Sequence, residues 1–254
     1  MVFFALTFCQ GFFTGFSPTN IYLKGDFSME ATVNRKITVK TIVLTGMFIA
    51  VAFVVTLLSK LIPISVAGFL TFDLKDVIVA ICGFIMGPLP ALITVVISSL
   101  IEMLTISSTG VIGFVMNVLS SCAFAIPAAI IYSKKKKFVD ALLGIIIGIV
   151  CMAVIMVLWN WLITPLYMGV PREVVVGMLF PVFLPFNLLK GGINGALTLL
   201  LYKPIVTALR KAKLVVSSGA GSAPKKGLSL GVTLISIFVL ASLVLVVLVW
   251  TKVI

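Results

Sequence analysis

The sequence has no histidine, and only seven of its 254 residues are acidic. Without imidazole there is no His-ligated metal site, no Ser-His hydrolysis and no imidazole acid–base chemistry. The four cysteines, at 9, 82, 122 and 151, are too scattered for a zinc spacing or a disulfide framework. They read as small apolar packing residues. Charged residues make up 10% of the chain against 61% hydrophobic, and mean hydropathy is +1.32. A soluble fold of this length cannot hide so much apolar surface, so the expected class is an all-α integral membrane protein. The net charge of +12 does not point to nucleic acid. Its basic residues flank apolar runs instead of forming a patch interleaved with aromatics, which is how topogenic signals and contacts to anionic lipid look.

Six spans are expected within residues 37–213, at about 38–60, 74–87, 88–105, 111–132, 139–163 and 179–202. The second is short. It opens F-D-L-K-D, where Asp73 reads as a helix N-cap and Asp76 as its N3 carboxylate. Residues 1–36 form an N-terminal extension, and Met29 reads as the ordinary start of a membrane protein. A Gly/Ser/Ala/Pro linker, 214–227, precedes a further apolar run, 228–250, expected to be an additional transmembrane helix. The I-P-I-S-V-A-G-F-L-T-F stretch after the first span, and T-P-L-Y-M-G-V-P-R-E at 164–173, read as outer loops. With the N-terminus inside, fourteen of the nineteen basic residues fall on inner segments, Lys134 to Lys137 among them. Lys60, Lys75, Arg172 and Lys252 fall outside. That bias assigns a cytoplasmic N-terminus. No internal repeat is evident.

Lys190 stands alone within the last of the six spans, in P-F-N-L-L-K-G-G-I-N. An ammonium at that depth costs ~2.5–3.5 kcal/mol, and Tyr202 is roughly 18 Å away along a helix, too far to snorkel. It needs a partner or a polar cavity. Asn187, Lys190 and Asn194 share one helix face at i, i+3, i+7. A carboxamide beside an ammonium suits a ligand edge that carries carbonyl and N–H groups together. The plainer alternative is a structural lysine neutralised by Glu102 or capped by helix carbonyls. Asn160, between Trp159 and Trp161, sits in the same depth band; the two tryptophans suit an interfacial belt. Asn117 and Glu102 either face the cavity or serve as interhelical glue and counter-ion. Pro181 and Pro185 are expected to loosen the helix ahead of the site. Gly46 with Ala50, and Gly191 with Gly195, are small-xxx-small pairs that suit either bundle packing or a contact with another protein.

Together these pieces resemble the riboflavin-binding S components of energy-coupling factor (ECF) transporters. The residues that carry the resemblance are F-D-L-K-D at 72–76, G-F-I-M-G-P at 83–88, G-F-V-M-N at 113–117, W-N at 159–160, P-L-Y-M at 165–168, F-N-L-L-K-G at 186–191 and L-L-Y-K-P at 200–204. It covers about 37–212. The resemblance implies a six-helix S-component bundle in a bacterial plasma membrane. It also implies capture of vitamin from outside, and association with a transmembrane T component and two cytoplasmic ATPases, with no ATP hydrolysis or cofactor of its own. Asn187 and Lys190 would bond the polar edge of the flavin ring, with Asn160 as third contact. Ser65 to Thr71, including Gly68 and Phe69, would form a lid. Gly46-x-x-x-Ala50 would stand where the family has an A-x-x-x-A-like contact for the T component. A seventh span is atypical of that family.

The competing class is an ion-coupled secondary carrier for a small polar solute. Such a carrier wants acidic residues deep in the membrane, and Glu102 is the only candidate in this reading, at shallow depth. An intramembrane enzyme is opposed by the missing histidines and the lack of paired deep carboxylates.

Overall fold

The computed structural model describes residues 39–61, 65–66, 70–107, 109–212 and the single positions 237 and 241. The expected extension, the linker and nearly all of the seventh apolar run lie outside these residues. The elements are α1 (Val39–Leu61), β1 (Ser65–Val66), β2 (Leu70–Thr71), α2 (Lys75–Met86), α3 (Pro88–Thr105), α4 (Gly110–Lys135), α5 (Phe138–Met168), α6 (Arg172–Met178), a π-turn (Leu179–Phe183) and α7 (Leu184–Lys211). Apart from the two-residue antiparallel ladder of β1 with β2, the described chain is helical.

Helix is the form a lipid-embedded chain must take, because every backbone N–H and C=O has to be satisfied within the segment. Among the described residues, five stretches are long and apolar enough to cross a membrane: α1, α3, α4, α5 and the run from Arg172 to Leu209. The sixth, α2, has 12 residues, about 18 Å of helix against a hydrocarbon core of about 30 Å. It is buried from Lys75 to Phe84 without interruption and touches α1, α3, α4 and α7. The six-helix bundle is thus built around a short central rod.

Each outer helix shows lipid a different face from the one it packs. In α1 the buried side is Leu44, Thr45, Phe48, Ala52 and Thr56, while Val43, Met47, Val51 and Leu58 are exposed. The most extensive helix pair is α4 with α5. Small residues make it possible. A side chain at Gly144 would meet the Ala128 carbonyl oxygen at 2.9 Å, and one at Gly148 would collide with the Phe124 carbonyl. The two small pairs noted above separate here. Gly191 and Gly195 pack internally against Ile145, Ile149 and Met152 of α5. Gly46 and Ala50 are exposed on α1, and a side chain at Gly46 would meet nothing within 4 Å.

Two sequence expectations change. The segment 164–173 is not an open loop: α5 runs on through Pro165 to Met168, turns at Gly169 with φ 65° and re-enters helix at Arg172. Arg172 lies over the Trp161 ring, 5.3 Å from its centroid, which ties the turn to α5. Asp73 does not cap α2. The residue before the helix is Leu74, which makes no side-chain cap bond. The Asp73 carboxylate goes elsewhere, as described next.

Candidate functional site

The turn that leads into α7 is widened by its prolines. Pro185 has no N–H to return to the Pro181 carbonyl, and the Leu184 N–H reaches back five residues to Leu179. Two residues later the helix presents Asn187, then Lys190 and Asn194, all buried. Asn187 Nδ2 donates to the Phe183 carbonyl at 2.8 Å. Phe186 packs against Phe72 with the rings tilted by 53° and centroids 4.7 Å apart, in an apolar cluster with Val175, Leu179 and Phe183.

Lys190 has its partner across the bundle. Its Nζ donates to Asp73 Oδ2 at 2.7 Å, and Asp76 Oδ2 lies 3.9 Å away. Asn194 Nδ2 donates to the Asp73 backbone carbonyl at 3.1 Å. Asp76 is fully buried, and the Ser121 hydroxyl of α4 donates to its Oδ1. So Phe186, Lys190 and Asn194, spaced i, i+4, i+8 on α7, hold residues 72 and 73 at the mouth of α2.

A second polar cluster adjoins the first through α2. Lys75, 1% exposed, donates to Glu102 Oε2 at 3.0 Å and to Ser99 Oγ at 3.2 Å. Glu102 Oε1 pairs with Lys60 at 3.1 Å, and Oε2 also accepts from Asn117 Nδ2 at 3.2 Å. Lys60 further donates to the Ile106 carbonyl at 3.3 Å. Asn117 thus bonds across from α4 to α3. Across both clusters three lysines face three carboxylates, a formal balance of zero.

The structure thus brings Asn187 and Lys190 together on one buried face, and places Glu102 with Asn117 in the neighbouring cluster. Asn160 is buried on α5, where Nδ2 donates to the Met156 carbonyl at 2.7 Å and Oδ1 accepts from Thr164 at 2.8 Å. Among the described residues no hydrogen bond joins it to Lys190. Ser65 and Thr71 pair in the β1–β2 ladder; Gly68 and Phe69 lie outside the described residues.

The structure revises how the charges are held. Lys190 is neutralised by Asp73, and the alternative partner, Glu102, does not reach it. Lys75, counted among the outer basic residues, is buried at the start of α2. Glu102 is not the only deep acid, because Asp76 is more completely buried. The signal that sequence reasoning passed over was the sign balance: an unpartnered intramembrane lysine, and two aspartates at i, i+3 beside an apolar run in a chain with only seven acids.

Residues 40–202 match the model of a family described as "ECF transporter, substrate-specific component". A solved structure described as "Structure and mechanism of the S component of a bacterial ECF transporter" is similar, with 27% identity and a TM-score of 0.58. The match covers 67% of this chain and 98% of that one. No curated protein matches the chain.

Proposed function

The chain belongs to the substrate-specific components of ECF transporters, and from that premise we propose that the solute it captures is riboflavin. Membership makes it a substrate-binding subunit of a membrane transporter, not an enzyme, working with the T and ATPase components of its complex. It also decides against the secondary carrier, although the buried Asp73 and Asp76 are acids of the kind such a carrier wants.

The observation that carries the riboflavin reading is the buried Asn187–Lys190 face on α7, within the F-N-L-L-K-G string. One lysine donor is taken by Asp73, and an ammonium has three. The remaining donors and the Asn187 carboxamide suit the carbonyl and N–H groups of the flavin's pyrimidine edge. Asn160 is the third contact in this reading, by rotation away from its own helix, and the β1–β2 ladder is the proposed cover. Purified protein should be yellow or take up riboflavin, quenching its fluorescence at one flavin per chain. A folded preparation that binds no flavin would refute this.

In the same reading the N-terminus is cytoplasmic and the β1–β2 end faces out, in a bacterial plasma membrane. A cysteine placed at Lys136 should react with a membrane-impermeant maleimide only after the cells are opened; labelling in intact cells would reverse the orientation.

The exposed Gly46–Ala50 ridge on α1 is the proposed seat of the T component. Gly46→Leu has room within the subunit, so riboflavin affinity should hold. Close approach of a second helix should weaken by about tenfold or more in the association constant, about 1.4 kcal/mol. Co-purification with the T component measures this, and intact assembly with Gly46→Leu would move the interface elsewhere.

A further inference from the structure

Two carboxylates share one ammonium at the α7 site. Asp73 Oδ2 is 2.7 Å and Asp76 Oδ2 is 3.9 Å from Lys190 Nζ, so the trio carries a formal charge of −1. The next ammonium along α2, that of Lys75, is bound to Glu102 and Ser99. A lysine in a binding site usually reads as an anion receptor. Here its charge is more than balanced before any ligand arrives.

Hydrogen-bond polarity points the same way. Asp73 Oδ1, Asp76 Oδ2 and Asn194 Oδ1 are all buried, and none accepts a hydrogen bond from a described protein group. Two of the three belong to the carboxylates beside Lys190. A buried acceptor without a donor is costly, so an occupant that brings N–H groups is matched to this environment. A carboxylate, phosphate or ionised ring edge would bring no donor to these oxygens, and would set a negative charge beside two others.

We infer that Asp73 and Asp76 are specificity-determining residues: they restrict the Lys190 site to an uncharged, N–H-bearing ligand edge and reject an anionic one. This rests on the riboflavin reading, and it explains why a site built on lysine takes a neutral ring. Asp73 acts as well through Lys190, whose ammonium it orients.

The test compares two flavins of nearly equal shape on the purified full chain. Riboflavin is neutral at pH 7. Its 8-demethyl-8-hydroxy analogue has a phenol-like hydroxyl that is ionised at neutral pH, spreading charge onto the pyrimidine oxygens. The unmodified protein should bind riboflavin tighter by about tenfold or more, the scale of one close like-charge contact in a partly screened site. Asp73→Asn keeps an oxygen for Lys190 and removes one negative charge. Whatever it does to riboflavin affinity itself, the preference should shrink by about tenfold. Asp76→Asn, which keeps an acceptor for Ser121, should shrink it in the same direction and serves if the first variant does not fold. An unmodified protein that binds the anionic flavin as tightly as riboflavin overturns the inference, and needs no variant to do so. So does an unchanged preference in either folded variant. Failure to bind either flavin is a different result: it removes the riboflavin reading itself.

Discussion

Lys190→Met should lower riboflavin affinity by about 10–150-fold, the worth of ~1.5–3 kcal/mol for a hydrogen bond from a charged group. It should also destabilise the empty protein, because it strands two buried carboxylates. Removing one partner of a buried ion pair costs about 3–5 kcal/mol. The two effects can be parted. Lys190→Met combined with Asp73→Asn removes charge of both signs and should recover much of the lost thermal stability while leaving affinity low. Titration with riboflavin and thermal unfolding in detergent measure the two separately. Unchanged affinity in a well-folded Lys190→Met preparation would take the lysine out of the site.

The second large effect is expected at Glu102. Lys75 is 1% exposed, and its polar partners are this carboxylate and the Ser99 hydroxyl. Glu102→Gln is nearly isosteric but removes the one carboxylate that bonds the buried Lys75 ammonium directly. Lys60 is 31% exposed at its side chain and can turn to water; Lys75 cannot. A loss of about 3–5 kcal/mol is expected, read as a fall in Tm. Lys75→Met in the same chain should restore much of it. A Tm that does not move with Glu102→Gln would mean that water reaches Lys75.

How far the sequence was readable depends on the range of the interaction. The long apolar runs of α1, α3, α4 and α5 were legible to within a few residues at most ends, because a bilayer demands a continuous helix of known length. Even the shortness of α2 could be read. The end of α5 could not. Pro165 and Gly169 look like loop punctuation, yet only the glycine ends the helix, since a membrane helix can carry a proline when its neighbours re-satisfy the freed carbonyl. The Asn187–Lys190 face was visible from spacing along one helix. Its counter-charge was not, because Asp73 is 117 residues away in the chain. Local rules offered Asp73 a role as a cap, and a local role was the only kind they had to offer. The pairing of Glu102 with Lys190, offered only as an alternative, fails for the same reason: Glu102 bonds Lys60 and Lys75.

The central rod, α2, will also leave its mark on which substitutions the chain tolerates. A helix with one lipid face, such as α1, accepts change on that face, so its tolerance rises and falls about every 3.6 residues. From Lys75 to Phe84 no residue faces lipid. A saturation library scored for folded protein should therefore show a flat floor across these ten positions. No periodicity should remain, because a helix enclosed on all sides has no side left on which to vary.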